Sequence, residues 1–124
     1  MGVVPLIDEH EVAQIVVHSL AGASVVRIVG DVDLAAAGSL RTALGQALVE
    51  HPWIIVDLRR VAAVDSIGLG VLVAAREAAR RQSGDLVLAA APPFVLSVLH
   101  AARLGTVFST FDTVPQAITF ALAV

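Results

Sequence analysis

Short apolar runs alternate with segments of helical spacing along most of this chain. Runs of β-branched residues at 14–18 and 25–29 flank the turn signal Ala21-Gly22-Ala23, which predicts a β-hairpin. Leucines and alanines at helical intervals then predict a first helix, and we expect Asp33 to cap it. That helix should end at His51-Pro52, because the residue before a proline is disfavoured in helical geometry.

The second half repeats this alternation, starting with an apolar run typical of a strand that is covered on both faces. The predicted elements are a strand from Trp53 to Leu58, a helix from the Ser66 loop to about Gln82, a strand from Asp85 to Ala90, a helix opened by Pro92-Pro93 and broken at Gly105, a short strand or extended link at Val107-Phe108, and a last helix from Gln116 to Leu122.

Strands that alternate with helices after an initial hairpin predict an α/β fold. We expect a single layered domain over residues 1–124, with a mixed β-sheet of four to five strands flanked by about four α-helices. Residues 1–12 contain Pro5 and an acidic cluster, and we expect them to form a partly mobile lead-in.

The composition narrows the function classes. The net charge is −3, and all eight basic residues are arginines; this balance argues against a general nucleic-acid binder, which needs a basic face. The chain has no cysteine, which excludes disulfides, thiolate catalysis and cysteine zinc sites and is compatible with the cytoplasm. Its four histidines lack metal-ligand spacing, so we expect neither a metal nor a cofactor.

A membrane span is not expected, although apolar residues make up 57% of the chain. The most apolar stretch, from Leu86 to Leu99, is cut by Pro92-Pro93 and is shorter than the ~20 residues that a spanning helix needs. The first residues also lack the basic and long apolar regions of a signal peptide.

The candidate chemistry lies where the second helix begins. Asp65 and Ser66 follow a buried strand, at a point where unpaired N–H groups and a partial positive charge tolerate an anion. A phosphate on Ser66 would add about −1.5 to −2 charge, which could turn off a partner-docking surface. The alternative is that Ser66 is only a helix N-cap and Asp65 a surface acid, and the residues alone leave both open.

Two enzyme-like alternatives receive less support. Asp57 at a strand end suggests a receiver domain phosphorylated on aspartate, but a receiver needs a lysine and this chain has none. We therefore interpret Asp57 as a structural acid. Gly68-x-Gly70 lacks the rest of a nucleotide-binding motif, and Ser66 has no evident histidine relay for hydrolysis.

Ordered motifs give the chain a resemblance to a known family. Gly30-Asp31-Val32-Asp33, Val56-Asp57-Leu58, the stretch from Asp65 to Leu72, and Phe111-Asp112-Thr113-Val114 follow one another with the family's spacing. On these motifs the chain, from about Val16 to Leu122, resembles the STAS domain of anti-sigma factor antagonists, which also occurs in sulphate transporters. Ile67 departs from the pattern, since the family has a second serine there, and Arg103 replaces a frequent glycine.

The resemblance implies a function for Ser66. In soluble members the unphosphorylated domain binds an anti-sigma factor, often a serine kinase, and phosphorylation of this serine ends the contact until a phosphatase reverses it. The chain is then a regulatory binding protein and not an enzyme. Under this hypothesis we expect the partner-binding residues to be Gly30, Asp31, Asp33, Asp65, Ser66, Ile67, Gly68, Leu69 and Arg76.

Two partner hypotheses remain. The first is a cytoplasmic anti-sigma factor antagonist that is switched at Ser66, binds no nucleic acid directly and allows a weak homodimer. The second is a cytoplasmic STAS subunit of a membrane transporter or signalling scaffold, in which Ser66 need not be phosphorylated.

Overall fold

The structure is a computed structural model that describes residues 12–123. Five strands and four helices follow one another in this part of the chain. They are β1 (Gln14–Leu20), β2 (Ala23–Val32), α1 (Ala37–Glu50), β3 (Trp53–Val64), α2 (Ser66–Arg81), β4 (Asp85–Ala89), α3 (Pro93–Ala101), β5 (Thr110–Phe111) and α4 (Val114–Leu122).

The strands form one mixed sheet in the order β1-β2-β3-β4-β5. β1 and β2 are the predicted antiparallel hairpin, and each later strand joins its neighbour in parallel through a helical crossover. The expected mixed sheet of four to five strands with about four helices is thereby confirmed. The single domain over residues 1–124 stays a prediction, and its lead-in, apart from Val12, lies outside the described residues.

Helices cover both faces of the sheet, so β4 and the first half of β3, which are two of the three inner strands, are buried on each side. One core lies between the sheet and helices α1, α2 and α3. These helices contribute Leu40, Leu72 and Leu99 to it, respectively. A smaller core on the opposite face packs Ala117 of α4 against Val25 and Ile55.

Three predicted elements differ from the structure. β3 continues past Leu58 to Val64, because its second half pairs with the end of β2 after two register shifts. The extended residues near the end of the chain are Thr110–Phe111, paired with β4, and Val107-Phe108 lies in a turn before them. The third difference concerns the start of α1. This helix begins at Ala37, and the preceding residue Ala36 offers no side-chain hydrogen bond to its first turn.

Asp33 is therefore not the helix cap that the sequence predicts. Its Oδ1 accepts a hydrogen bond from the Ala36 N–H at 3.0 Å, and this closes a turn between β2 and α1. A carboxylate that bonds a backbone N–H three residues later is favoured both in such turns and at helix starts, so the sequence pattern does not separate them.

Candidate functional site

Asp65 is the residue that fixes the start of α2. It lies alone between β3 and α2 in extended geometry, and its Oδ1 accepts a hydrogen bond from the Gly68 N–H at 2.9 Å. This is an aspartate N-cap that satisfies one of the free amides of the first helical turn. The prediction that Asp65 is a mere surface acid is therefore wrong.

Ser66 is the first residue of α2 and is exposed to solvent. The alternative in which Ser66 serves only as the N-cap is wrong, because Asp65 occupies that position. The hydroxyl is thus not needed to cap the helix, and the residue that carries it is open to solvent.

A second contact of Asp65 joins the helix start to the loop after β2. Its Oδ2 accepts a hydrogen bond from the Leu34 N–H at 3.1 Å, and its own N–H donates to the Val32 carbonyl oxygen at 3.0 Å. One carboxylate therefore holds two segments that are more than thirty residues apart in sequence, and the exposed side chains of Leu34 (69%) and Ile67 (46%) belong to them.

Gly68 allows this close approach of the two segments. A Cβ atom at Gly68 would overlap the backbone carbonyl oxygen of Val32, so an alanine fits only if α2 moves away from β2. Gly70, two residues later, has nothing within 4 Å of the equivalent position. The two glycines of the motif therefore play different roles, and only the first is required by packing.

The hydrogen bonds also set the charge state of Asp65. The Gly68 N–H lowers its pKa below the ordinary 3.8; partial loss of solvent opposes this, and the N–H groups of Leu34 and Ile67 support it. Asp65 is consequently a carboxylate at neutral pH, directly beside the Ser66 hydroxyl.

The structure brings most of the predicted partner-binding residues to one end of the sheet. Asp31 pairs with Ala63 in the β2–β3 ladder, and Asp33 follows in the loop that Asp65 holds, so both are close in the fold to the start of α2. Gly30 lies in the same ladder with a φ of +120°, a conformation that suits glycine.

Other predicted residues are less exposed than Ser66. Leu69 is 6% exposed and belongs to the main core, and Gly68 is buried. Arg76 lies about 15 Å along the helix from Ser66 at the usual rise, is largely covered, and its Nε lies 3.2 Å from Oδ1 of Asp85. Arg76 is thus occupied in a salt bridge that ties α2 to β4.

A shallow groove that was not predicted from the sequence starts at Ser66. It has a volume of about 350 Å³ and runs between α2 and the end of α3, with mostly apolar walls. The residues that line the groove are Ser66, Leu69, Gly70, Val73, Ala74, Glu77, Ala102 and Leu104. Helical spacing predicts which side of α2 lines the groove, but no pattern in the sequence indicates that α3 ends beside that side.

Asp57 is separate from this site. It lies inside β3, not at the strand end, and is 5% exposed. Its Oδ1 accepts from the Arg59 N–H at 3.1 Å, and its Oδ2 lies 3.4 Å from the Arg59 guanidinium. Because these contacts compensate its burial, the interpretation of Asp57 as a structural acid fits the geometry.

Neither a metal site nor a membrane span is found in the described part of the chain. Across residues 12–123 there is no group of three histidine or acidic side chains placed to hold a metal ion. None of the helices within these residues has the length and apolar character needed to cross a bilayer.

Known proteins resemble this chain in sequence. Residues 14–117 match the model of the STAS domain family. The anti-sigma-F factor antagonist RsfB of Mycobacterium tuberculosis is 30% identical over 99 residues, which cover 79% of this chain and 80% of the relative. These two matches agree on the family and extend over most of the chain.

Solved structures share the fold. An anti-sigma factor antagonist from Mycobacterium paratuberculosis superposes with a TM-score of 0.80 at 27% identity, covering 89% of this chain and 94% of that one. The anti-sigma factor antagonist SpoIIAA in its unphosphorylated form gives a TM-score of 0.77 at 21% identity, with 90% and 98% covered. The chain therefore belongs to the STAS domain family, and its relatives include anti-sigma factor antagonists.

Proposed function

We propose that this protein is an anti-sigma factor antagonist that binds an anti-sigma factor of the serine-kinase type and is released when that kinase phosphorylates Ser66. A phosphatase would restore binding. In this function the chain is a cytoplasmic regulatory protein and not an enzyme. The observation that carries the proposal is that Ser66 is exposed at the first position of α2. The neighbouring Asp65 caps this helix and holds the loop after β2.

The docking surface would be centred on Ser66. Leu34 and Ile67 supply exposed apolar side chains next to it, and the groove between α2 and α3 extends the apolar surface in one direction. Apolar side chains ringed by polar ones are typical of the energetically important centre of an interface. A partner that covers this surface removes water from the Ser66 hydroxyl.

Phosphorylation would oppose binding chiefly through desolvation. A neutral hydroxyl enters such a surface at little cost, whereas a phosphate carries about −1.5 to −2 charge and strongly bound water. The helix start offers limited compensation, because Asp65 already accepts from the Gly68 amide. Asp31, Asp33 and Asp65 add negative charge on the same end of the sheet, so the phosphate would sit in an unfavourable field.

The contact would also be specific for its partner. Ile67 stands where the family pattern has a second serine, and its side chain is about half exposed. An anti-sigma factor that fits this chain should therefore present an apolar contact opposite Ile67. An Ile67→Ser variant should bind the kinase that recognises the wild type more weakly, although the Ser66 hydroxyl is still present.

One experiment tests the proposed switch. The protein is incubated with candidate anti-sigma kinases and ATP, and any phosphate is located by mass spectrometry. Label on Ser66 that is lost in Ser66→Ala and kept in Ser39→Ala, an exposed serine of α1, is the expected result. Ser66→Asp should weaken kinase binding in a titration while the fold is retained.

The competing hypothesis predicts a different outcome. If the protein is a subunit of a membrane transporter or scaffold, it should co-purify with membrane transport proteins and take no label on Ser66. Equal affinity of Ser66→Asp and wild type for the kinase would reject the charge mechanism even where binding itself is found.

A further inference from the structure

The two edges of the sheet differ in how well they are protected. β5 is an edge of only two residues, whereas β1 is an edge of seven residues that contains no charge and no proline. β1 also pairs with β2 in seven consecutive pairs without a bulge. Short length, charge, proline and bulges are among the devices that prevent an edge strand from adding another strand, and within residues 12–123 β1 has none of these four.

The hairpin turn identifies which backbone groups of β1 face outward. Ala21 and Gly22 both have positive φ values, 55° and 92°, as in a two-residue type I′ turn. In such a hairpin Leu20 and Ala23 exchange both hydrogen bonds, and this alternates along the strand. The N–H and C=O groups of Ile15, Val17 and Ser19 therefore point away from β2.

We propose that β1 pairs with β1 of a second copy of this chain, in an antiparallel arrangement about a two-fold axis at Val17. Val17 then lies opposite Val17 of the second copy, and Ile15 lies opposite Ser19 in both directions. Each of these three pairs exchanges two backbone hydrogen bonds, or about six in all. The two five-stranded sheets become one continuous sheet.

The side chains beside this edge fit the same occupant. On one face Val16 and Leu20, each 49% exposed, would be covered by His18 and Gln14 of the second copy. On the other face an open cleft of about 790 Å³ lies between β1 and α1, and small uncharged residues such as Gly38, Ser39 and Thr42 form its α1 wall. That wall leaves room for side chains of an added strand.

Charge does not oppose a second copy as the occupant. Among the described residues that line this cleft and the adjoining cleft of about 420 Å³, Glu50 is the one charged residue. It lies near Ser19, and the two-fold axis would put the two Ser19 positions about 13 Å apart along the strands. Like charges at that distance are largely screened in physiological salt, so the two Glu50 side chains do not oppose self-pairing.

The absence of cysteine allows a direct test. Opposed residues of a hydrogen-bonded antiparallel pair have Cα atoms about 5.5 Å apart, a distance that a disulfide spans. Val17→Cys should therefore form a disulfide-linked dimer under mild oxidation at micromolar concentration. Leu96→Cys, an exposed position on α3, is the control and should not.

Sedimentation equilibrium supplies a second readout. The wild type should dimerise with rising concentration, and Val17→Pro, which removes an outward N–H, and Val16→Lys should each raise the dissociation constant at least ten-fold. Circular dichroism and thermal melting establish that each variant is folded. A wild type that stays monomeric at millimolar concentration overturns the proposal, and so does a dimer that both folded variants leave unchanged.

Discussion

Helices α1 and α2 both begin at the carboxyl ends of neighbouring parallel strands, but they begin in different ways. α2 follows β3 after a single residue, and Asp65 caps it with a side-chain hydrogen bond. α1 follows β2 after a four-residue turn and has no side-chain cap. The turn before α1 is also held from outside, because Asp65 bonds the Leu34 N–H.

The start of α2 and the turn before α1 are held in different ways, and both contribute to the surface around Ser66. The start of α2 presents Ser66 in a defined position, and the loop before α1 presents Leu34 in a position that depends on Asp65. One carboxylate therefore determines the geometry of both. Substitution of Asp65 should consequently disturb both segments, whereas substitutions in the turn before α1 should disturb only that turn.

Gly68→Ala should have the largest effect on the fold. The new Cβ would overlap the Val32 carbonyl oxygen, and since both partners are held by backbone, the overlap is relieved only by moving α2. We expect a loss of about 3 kcal/mol or more in the free energy of unfolding, measured by urea denaturation.

Gly70→Ala is the matched control for this variant. The same substitution two residues later meets nothing within 4 Å and lies in a helix interior. It should be neutral or stabilise by about 0.5–1 kcal/mol. Equal losses for the two variants would contradict the close packing of α2 on β2.

Asp65→Ala should have the next largest effect. It removes the cap of α2 and the contact to Leu34 together, so amide exchange should rise in residues 33–36 as well as in the first turn of α2. Asp33→Ala removes one turn hydrogen bond and should cost about 1 kcal/mol, with faster exchange confined to its own loop. If Asp65→Ala raised amide exchange only in the first turn of α2 and left residues 33–36 unchanged, the link through Asp65 would be disproved.

These contacts mark where sequence reasoning succeeded and where it stopped. Periodicity predicted the hairpin, the alternation of strands with helices and most boundaries, because each element has one apolar face that must be buried. It placed the end of β3 at Leu58, since Arg59 and Arg60 look like a strand end, whereas pairing with β2 carries the strand to Val64. Register across a parallel pair depends on distant residues and leaves no local pattern.

The candidate site shows the same division. Ser66 and Asp65 were found from their position before an amphipathic segment, but local spacing did not decide which of them caps the helix. The contact of Asp65 with Leu34 spans thirty-one positions and could not be derived from local spacing. Arg76 was expected on the partner surface as part of the exposed face of the second helix, and its salt bridge to Asp85 becomes visible only when β4 is placed.

Acid should weaken the structure through Asp65. The folded state lowers the pKa of this carboxyl below 3.8, so the unfolded chain binds the proton more tightly. The resulting stabilisation is complete above the ordinary pKa and is lost as pH falls through the folded one. In Asp65→Asn, which cannot titrate, the difference in unfolding free energy from wild type should shrink as pH is lowered from about 6 towards 3. A pH-independent difference would contradict this.

Ser66→Ala should have the smallest effect on stability, and that is what makes it informative. Ser66 is exposed at the first helical position, and the cap is supplied by Asp65, so the hydroxyl should contribute less than about 0.5 kcal/mol to folding. The same substitution removes the proposed phosphate acceptor. A melting temperature close to that of wild type, together with complete loss of kinase-dependent label, would separate the regulatory role of this position from its structural one. A large fall in stability would instead mean that the hydroxyl helps to hold the helix start, and Ser66 would then share the structural role of its neighbour Asp65.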